Sequence, residues 1–298
     1  MAVVAVFVFL LLRLTAGDPA AIIAGDNATA RDVAQIREKL GLDEPIIRQF
    51  AIWLGRILRG DLGESFFFKK TVAELIVTRL EPTLALASCT LVLAVATAVP
   101  LGVLAAWRRG SWIDRFVMGL SVLGFSVPAF VIGYVLMYVF AIQLAWLPVQ
   151  GYQRLGDGFI GFIQRLILPS VALAIIYVAL IARITRASVL EVLDADHVRT
   201  ARAKGLSEAP VLLRHVLRNA AVPIVTVIGF GVALLIGGVV VTESVFSIPG
   251  LGRLTVDAVL ARDYPTVQAV VLLFSIAYVL INLLVDVTYT FLDPRIRY

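Results

Sequence analysis

Residues 83–106 carry no charged side chain, and four further stretches nearly as apolar follow at about 116–141, 166–181, 221–242 and 266–292. A hydrocarbon core about 30 Å thick is crossed by roughly 20 apolar residues in a helix. Lipid offers no hydrogen bonds to the backbone, so such stretches fold as helices that satisfy their own amides. With 60% hydrophobic and 16% charged residues and a mean hydropathy of +0.94, the chain holds more apolar surface than one soluble core could hide. These features predict an all-α integral membrane protein. Residues 1–12 are also apolar but stop early at Arg13. No basic stretch precedes them and no small-residue cleavage site follows closely, so they are a poor signal peptide. They are expected to be a first span (1–16) whose upstream end is missing, giving six transmembrane helices.

Basic residues in short loops set the expected orientation. One set comprises Arg108, Arg109 and Arg115, then Arg183, Arg186, Arg199, Arg202, Lys204, Arg214 and Arg218, and finally Arg295 and Arg297. The opposite loops hold only Arg154, Arg165, Arg253 and Arg262. The first set is expected to face the cytoplasm with both termini, which makes residues 17–82 an extracytoplasmic insert and 83–298 a five-helix core with a cytoplasmic loop over 183–220. This distribution accounts for the net charge of +5 without nucleic acid as a partner. The lone Cys89 lies in an apolar run and reads as a packing residue.

Within the insert, Asn27 is placed to cap a helix over 28–40, with Val33, Ile36 and Leu40 on one face and Gly41 as its stop. A second helix after Pro45 carries Ile47, Phe50, Leu54, Ile57 and Leu58 at amphipathic spacing and ends at Gly60. It suits a helix lying on the outer leaflet or over its own spans, and equally a platform for an external partner.

The spans themselves are interrupted by Pro100, by Gly124 with Pro128 and Gly133, by Pro169, by Pro223 and by Gly237-Gly238. Such breaks are tolerated where neighbouring helices or a hydrated cavity satisfy the freed backbone. Ionisable groups in the spans are few: Glu243 at the outer end of the fifth, and Asp286 with Asn282 in the sixth. Charges at such positions are functional candidates by default, so Glu243, Asn282 and Asp286 join Ser126 and Pro128 as candidate pathway or gate residues. They form no spaced carboxylate series of the kind a proton relay needs.

Motifs for chemistry are missing from the sequence. There is no phosphate-binding Gly-x-x-x-x-Gly-Lys-Ser/Thr loop, and His197, His215 and Cys89 are too few and too scattered for a metal site. No catalytic residues and no cofactor are expected in this chain, so any energy source must come from another subunit. The cytoplasmic insert has the form of a receiver. Asp196 is expected to cap a helix over 197–204, which Gly205 ends in the left-handed cap position. Two turns do not persist alone in water, so this helix needs a surface. Ser207 is expected to cap a second helix that tolerates Pro210 in its first turn and bears Arg214, His215 and Arg218. The simpler alternative is an amphipathic helix resting on the inner leaflet.

The segment Thr200-Ala-Arg-Ala-Lys-Gly205, followed by Arg214-His-Val-Leu-Arg-Asn219 and Pro223, resembles the coupling loop of ABC importer permeases of the dipeptide/oligopeptide family. Further matching motifs are Arg13-Leu-Thr-Ala-Gly-Asp-Pro19, Leu40-Gly-Leu-Asp-Glu-Pro45, Gly60-Asp-Leu-Gly-Glu-Ser65 and Ser126-Val-Pro128. The stretch Glu243-Ser-Val-Phe-Ser-Ile-Pro-Gly-Leu-Gly252 and the ending Asp293-Pro-Arg-Ile-Arg-Tyr298 complete the set. Their order, with the long insert after the first span, resembles the DppB/OppB-like subunit of the permease pair. The chain departs from the wider superfamily's Glu-Ala-Ala pattern, having Arg199, Thr200 and Ala201 ahead of Gly205.

The resemblance implies a type I ABC importer permease fold and a permease acting in the bacterial inner membrane on dipeptides or oligopeptides. The implied partners are a second homologous permease, two ATPase subunits that bind ATP and Mg, and an extracytoplasmic substrate-binding protein. On this resemblance Asp196, His197, Arg199, Thr200, Ala201, Lys204, Gly205, His215 and Arg218 are the ATPase-coupling residues, and the insert over 17–82 meets the binding protein. Relatives of this family also carry haem, nickel, glutathione or oligosaccharides, which leaves the cargo open. An ion-coupled transporter, which would show charged midplane repeats, and a channel or scaffold are the competing classes.

Overall fold

A computed structural model describes residues 1–14, 20–21, 29–65 and 67–292. The helices α1 (Ala2–Leu14), α2 (Ala30–Leu40) and α3 (Ile46–Leu58) precede a small hairpin of β1 (Glu64–Ser65) and β2 (Lys70–Thr71). The long helix α4 (Val72–Trp107) follows, then α5 (Trp112–Ser126) and α6 (Ala129–Leu136), which widens into a π-helical stretch over Met137–Gln143. Helices α7 (Phe159–Leu193), α8 (Asp196–Ala203) and α9 (Glu208–Pro210) lead into a second π-helical stretch, Val211–Val216. The chain ends with α10 (Leu217–Asn219), α11 (Ala221–Val245), α12 (Leu251–Leu260) and α13 (Tyr264–Leu292).

By length and composition, four described helices can cross a membrane: Val72–Trp107, Phe159–Leu193, Ala221–Val245 and Tyr264–Thr290. A fifth span results if α5 and the α6 stretch form one broken crossing, bent by 102°. The six-span expectation is therefore not met helix for helix among the described residues. At 13 residues, α1 extends only about 20 Å at 1.5 Å per residue. The single span expected over 116–141 is also broken. Pro128 has no N–H and crowds the residue before it, so Val127 is extended at φ −108° and ψ 125° and α5 ends at Ser126.

The chain forms two compact units, one of residues 1–81 and 249–279, the other of 82–248 and 280–298. In the first, Val72, Leu75 and Ile76 pack with Leu251, Leu254, Ala269 and Val270. Here the β1–β2 hairpin pairs Glu64 with Thr71 and Ser65 with Lys70. The buried Ser65 hydroxyl donates to Asp263 Oδ2 at 2.5 Å, and Thr266 Oγ1 donates to the same oxygen at 2.7 Å. Asp263 Oδ1 is buried with no hydrogen-bond partner among the described residues.

The α3 helix buries no residue completely. Phe50 and Trp53 lie against Phe9 with centroids 5.1 and 5.5 Å away, while Ile47 and Leu58 are 81% and 79% exposed. Gly41 and Gly60 follow α2 and α3 at φ +65° and +80°, the stops expected from sequence. Asn27 and the side chains of Ile36 and Leu40 lie outside the described residues, as do the motifs at 15–19 and 293–298.

The core of the second unit is built from α4, α7 and α11, with Leu86, Ala94, Leu166, Leu173, Ile181 and Val239 among its buried side chains. Small residues bring helices close. A Cβ on Gly124 would meet Ala179 Cβ at 3.0 Å, and one on Gly238 would meet Leu173 Cδ1 at 2.7 Å.

Candidate functional site: the coupling loop

The α8 helix is two turns long and amphipathic. Val198 and Ala201 are buried, packing with Ala106 at the end of α4, Val189 of α7, and Val211, Val216, Ala220 and Ile224. This apolar contact supplies the surface that a helix of eight residues needs. Ala201 is thus an anchor, whereas Asp196, His197, Arg199, Thr200, Lys204 and Gly205 are exposed on one continuous strip.

Local hydrogen bonds set the shape of the strip. Asp196 is not the cap expected from sequence. Ala195 occupies that position at ψ 148°, and Asp196 is the first helical residue, where its negative charge still favours the helix N-terminus. It lies 3.5 Å from Arg199 Nη1, with its own side chain 97% exposed. Gly205 does adopt the left-handed cap, at φ +83°. Leu206 N–H then donates to the Ala201 carbonyl at 3.4 Å, which closes the turn.

Beyond the turn, Ser207 holds the cap position of α9 by backbone geometry, with no side-chain bond. Arg202 clamps Glu208 with two hydrogen bonds of 2.9 and 3.1 Å, which ties α8 to α9. Asn219 Nδ2 donates to the His215 carbonyl at 2.6 Å and lies 3.5 Å from His197 Nε2. His215 is half-buried, and Arg214 and Arg218 are exposed. Residues 196–218 contain five Arg or Lys against one Asp and one Glu, so the exposed face is cationic.

The remaining candidates do not join this strip. Ser126 and Pro128 flank the α5–α6 bend, both exposed, with Ser126 Oγ donating to Val122 O at 2.9 Å. Glu243 is fully buried and accepts from Thr83 Oγ1 at 2.6 Å. Its backbone carbonyl takes Ile248 N–H at 2.9 Å. Asn282 and Asp286 are exposed on α13.

One constellation escaped the sequence reading. Arg186 of α7 makes a two-pronged bond to Asp114, Nε to Oδ1 at 2.5 Å and Nη2 to Oδ2 at 2.8 Å. Asp114 Oδ2 also accepts Gly110 N–H at 2.9 Å, and Ser111 Oγ accepts Asp114 N–H at 3.4 Å. The Ser111-Trp-Ile-Asp114 spacing is a capping signature and was the available clue. On sequence alone Arg186 is one more basic loop residue.

Residues 98–298 match the family model described as binding-protein-dependent transport system inner membrane component. Residues 1–87 match the model for the N-terminal part of the same membrane component. A probable peptide ABC transporter permease protein of Sinorhizobium fredii is 56% identical over 298 residues, covering 100% of this chain and 95% of that one. A glutathione transport system permease protein of Salmonella paratyphi A is 47% identical over 99% of this chain and 94% of its own.

Among solved structures, the MetNI methionine ABC transporter in an inward-facing conformation aligns with a TM-score of 0.61 at 19% identity. The alignment spans 74% of this chain and 97% of that one, and supports the type I importer permease fold. A helical membrane chain with a short exposed helix bolted to its span ends, matched by family models over both its parts, belongs to the binding-protein-dependent transport system inner membrane components.

Proposed function

We propose that this chain is the permease subunit of an ABC importer for dipeptides or oligopeptides, and that α8 is the helix its ATPases grip. The observation that carries this reading is the division of α8 into a buried face, Val198 and Ala201, and an exposed face of charged side chains. A load applied to the exposed face passes into α4, α7 and α11 through the apolar contact. The peptide cargo rests on the relatives, named as peptide permeases in Sinorhizobium fredii and, at 45% identity, in Brucella abortus.

On this reading the chain works with a second permease, two ATPases that hold ATP and Mg, and an extracytoplasmic binding protein. It lies in the inner membrane with α8 and both termini on the cytoplasmic side. Asp196, His197, Arg199, Thr200, Lys204, Gly205, His215 and Arg218 face the ATPase, Ala201 anchors the helix, and the chain itself hydrolyses nothing. ATP-driven closure of the ATPases pushes α8, turns the pathway outward to receive peptide, and hydrolysis resets it.

The test is uptake of labelled peptide by the reconstituted complex with its binding protein. Uptake should require ATP, and Arg199→Ala and Gly205→Val should lower peptide moved per ATP hydrolysed. Unchanged ratios in both variants would end this account. The 47% identity to a glutathione permease supports a second cargo reading, decided by whether the binding protein titrates with glutathione or with unmodified peptides.

A further inference from the structure

A cavity of about 340 Å³ opens in the first unit, where the turn after α3 meets the start of α13. That is enough room for a small ligand or a headgroup. Trp53 and Arg56 line it from α3, Asp61 and Glu64 from the segment that follows, and Gln268 from α13. Its charges do not cancel locally: neither Arg56 nor Asp61 forms an ion pair with a described residue. Asp61 Oδ1 accepts the Gly63 N–H at 3.0 Å, which leaves the second carboxylate oxygen open. Gln268 is 8% exposed and its Nε2 donates to the Val8 carbonyl at 2.9 Å. That bond pins the amide, and its Oε1 remains an acceptor with no donor among the described residues. Two carboxylates, an amide oxygen and an indole face suit a primary ammonium, which has three N–H groups to give. The Arg56 guanidinium suits an oxyanion next to it.

The level of the cavity points to the source of such a zwitterion. Phe9, whose ring lies 5.5 Å from that of Trp53, is five residues, about 8 Å, before the end of α1 at Leu14. Gln268 is four residues, about 6 Å, inside the start of α13. Two apolar helices thus set the cavity just below their ends, where headgroups meet acyl chains and tryptophan concentrates. On α3, Ile47 and Leu58 stay 81% and 79% exposed, an apolar surface that acyl chains can cover. We propose that this cavity holds the phosphoethanolamine headgroup of a membrane lipid. Asp61, Glu64 and Gln268 take the ammonium against Trp53, and Arg56 takes the phosphate. A phosphocholine headgroup has no N–H for these acceptors, and a phosphoglycerol headgroup brings an anion to two carboxylates with no cation to offset them. Affinity therefore falls in that order.

The test uses the intact complex in phosphatidylcholine vesicles that carry a photoactivatable phosphatidylethanolamine, phosphatidylcholine or phosphatidylglycerol, with the labelled peptides mapped by mass spectrometry. Label on residues 46–64 and 264–272 should favour phosphatidylethanolamine by roughly fivefold, the upper end for exposed charge contacts. Asp61→Asn with Glu64→Gln should bring it down to the phosphatidylcholine level, while Arg56→Gln should lower all three lipids alike. If the double variant also loses its phosphatidylcholine label, Asp61→Asn alone decides the point, because asparagine keeps the oxygen that Gly63 uses. Equal labelling by the three lipids, or a preference that survives in the carboxylate variants, overturns the inference. Suppression of the label by free alanyl-alanine would assign the cavity to a soluble zwitterion and overturn the lipid assignment. Neither ATP nor transport is read, so the result stands apart from the importer reading.

Discussion

A Cβ placed on Gly102 would come within 2.6 Å of Thr185 Cβ and 2.7 Å of the Ala182 carbonyl oxygen, so α4 and α7 meet there backbone to side chain with no room for a methyl group. Gly102→Ala should therefore force the two helices apart. Overpacking of this kind costs about 1–3 kcal/mol, and Gly102→Leu should prevent accumulation of the protein. Thermal unfolding in detergent, read by tryptophan fluorescence, checks the first, and membrane-fraction yield the second. Gly119, with nothing within 4 Å of its Cβ position, supplies the control and should tolerate alanine.

Glu243 and Thr83 form a buried pair, and the hydroxyl donates to a carboxylate. Thr83→Val keeps the shape and removes the donor, so the folded state should lose about 1.5–3 kcal/mol, the range for hydrogen bonds to charged groups. Thr83→Ser should stay close to the native midpoint. If valine is as stable as threonine, the bond is not part of what holds α4 to the end of α11.

At Gly205 the left-handed φ of +83° is the whole constraint, because nothing lies within 4 Å of the Cβ position. Asparagine tolerates this region better than alanine, and a β-branched residue fits it worst. Peptide moved per ATP should accordingly decline in the order Gly205→Asn, Gly205→Ala, Gly205→Val. A flat series would mean that the turn after α8 does not need this conformation.

The Asp263 carboxylate takes both Ser65 and Thr266 hydroxyls on one oxygen. Removing one donor from a buried acceptor costs about 1–3 kcal/mol. Ser65→Ala should raise amide hydrogen exchange in the hairpin at Glu64–Ser65 and Lys70–Thr71, whereas Thr266→Ala should act mainly on the start of α13. Because the two share an acceptor, the double variant should not be additive.

The long apolar runs were legible because hydrophobicity over about 20 residues reports directly on the medium. The C-terminal end of α8 was legible because a glycine in the left-handed region leaves a local signature at Gly205. Four features were not. Apolar content is the same in a straight and a broken helix, so the interruption read at Pro128 carried no measure of the 102° bend. Asp196 and Ala195 differ by one position in a cap, a choice that neighbouring packing decides. The Asp114–Arg186 pair joins residues 72 positions apart, and a single sequence holds no record of which arginine meets which carboxylate. The burial of Glu243 was not legible either, because its partner Thr83 lies 160 residues away.

The wide turn over Val211–Val216 holds more residues than a regular turn would. Deleting any one of them would let the backbone tighten to ordinary helical winding and swing everything after it by about 100° around the axis. Asn219 would then leave its place beside His197 of α8, whatever residue types remained. Drift in this stretch is accordingly confined to its exposed positions, since Val211 and Val216 are buried against α8, and in-frame loss of a single codon there should be far more damaging than missense changes at those exposed positions.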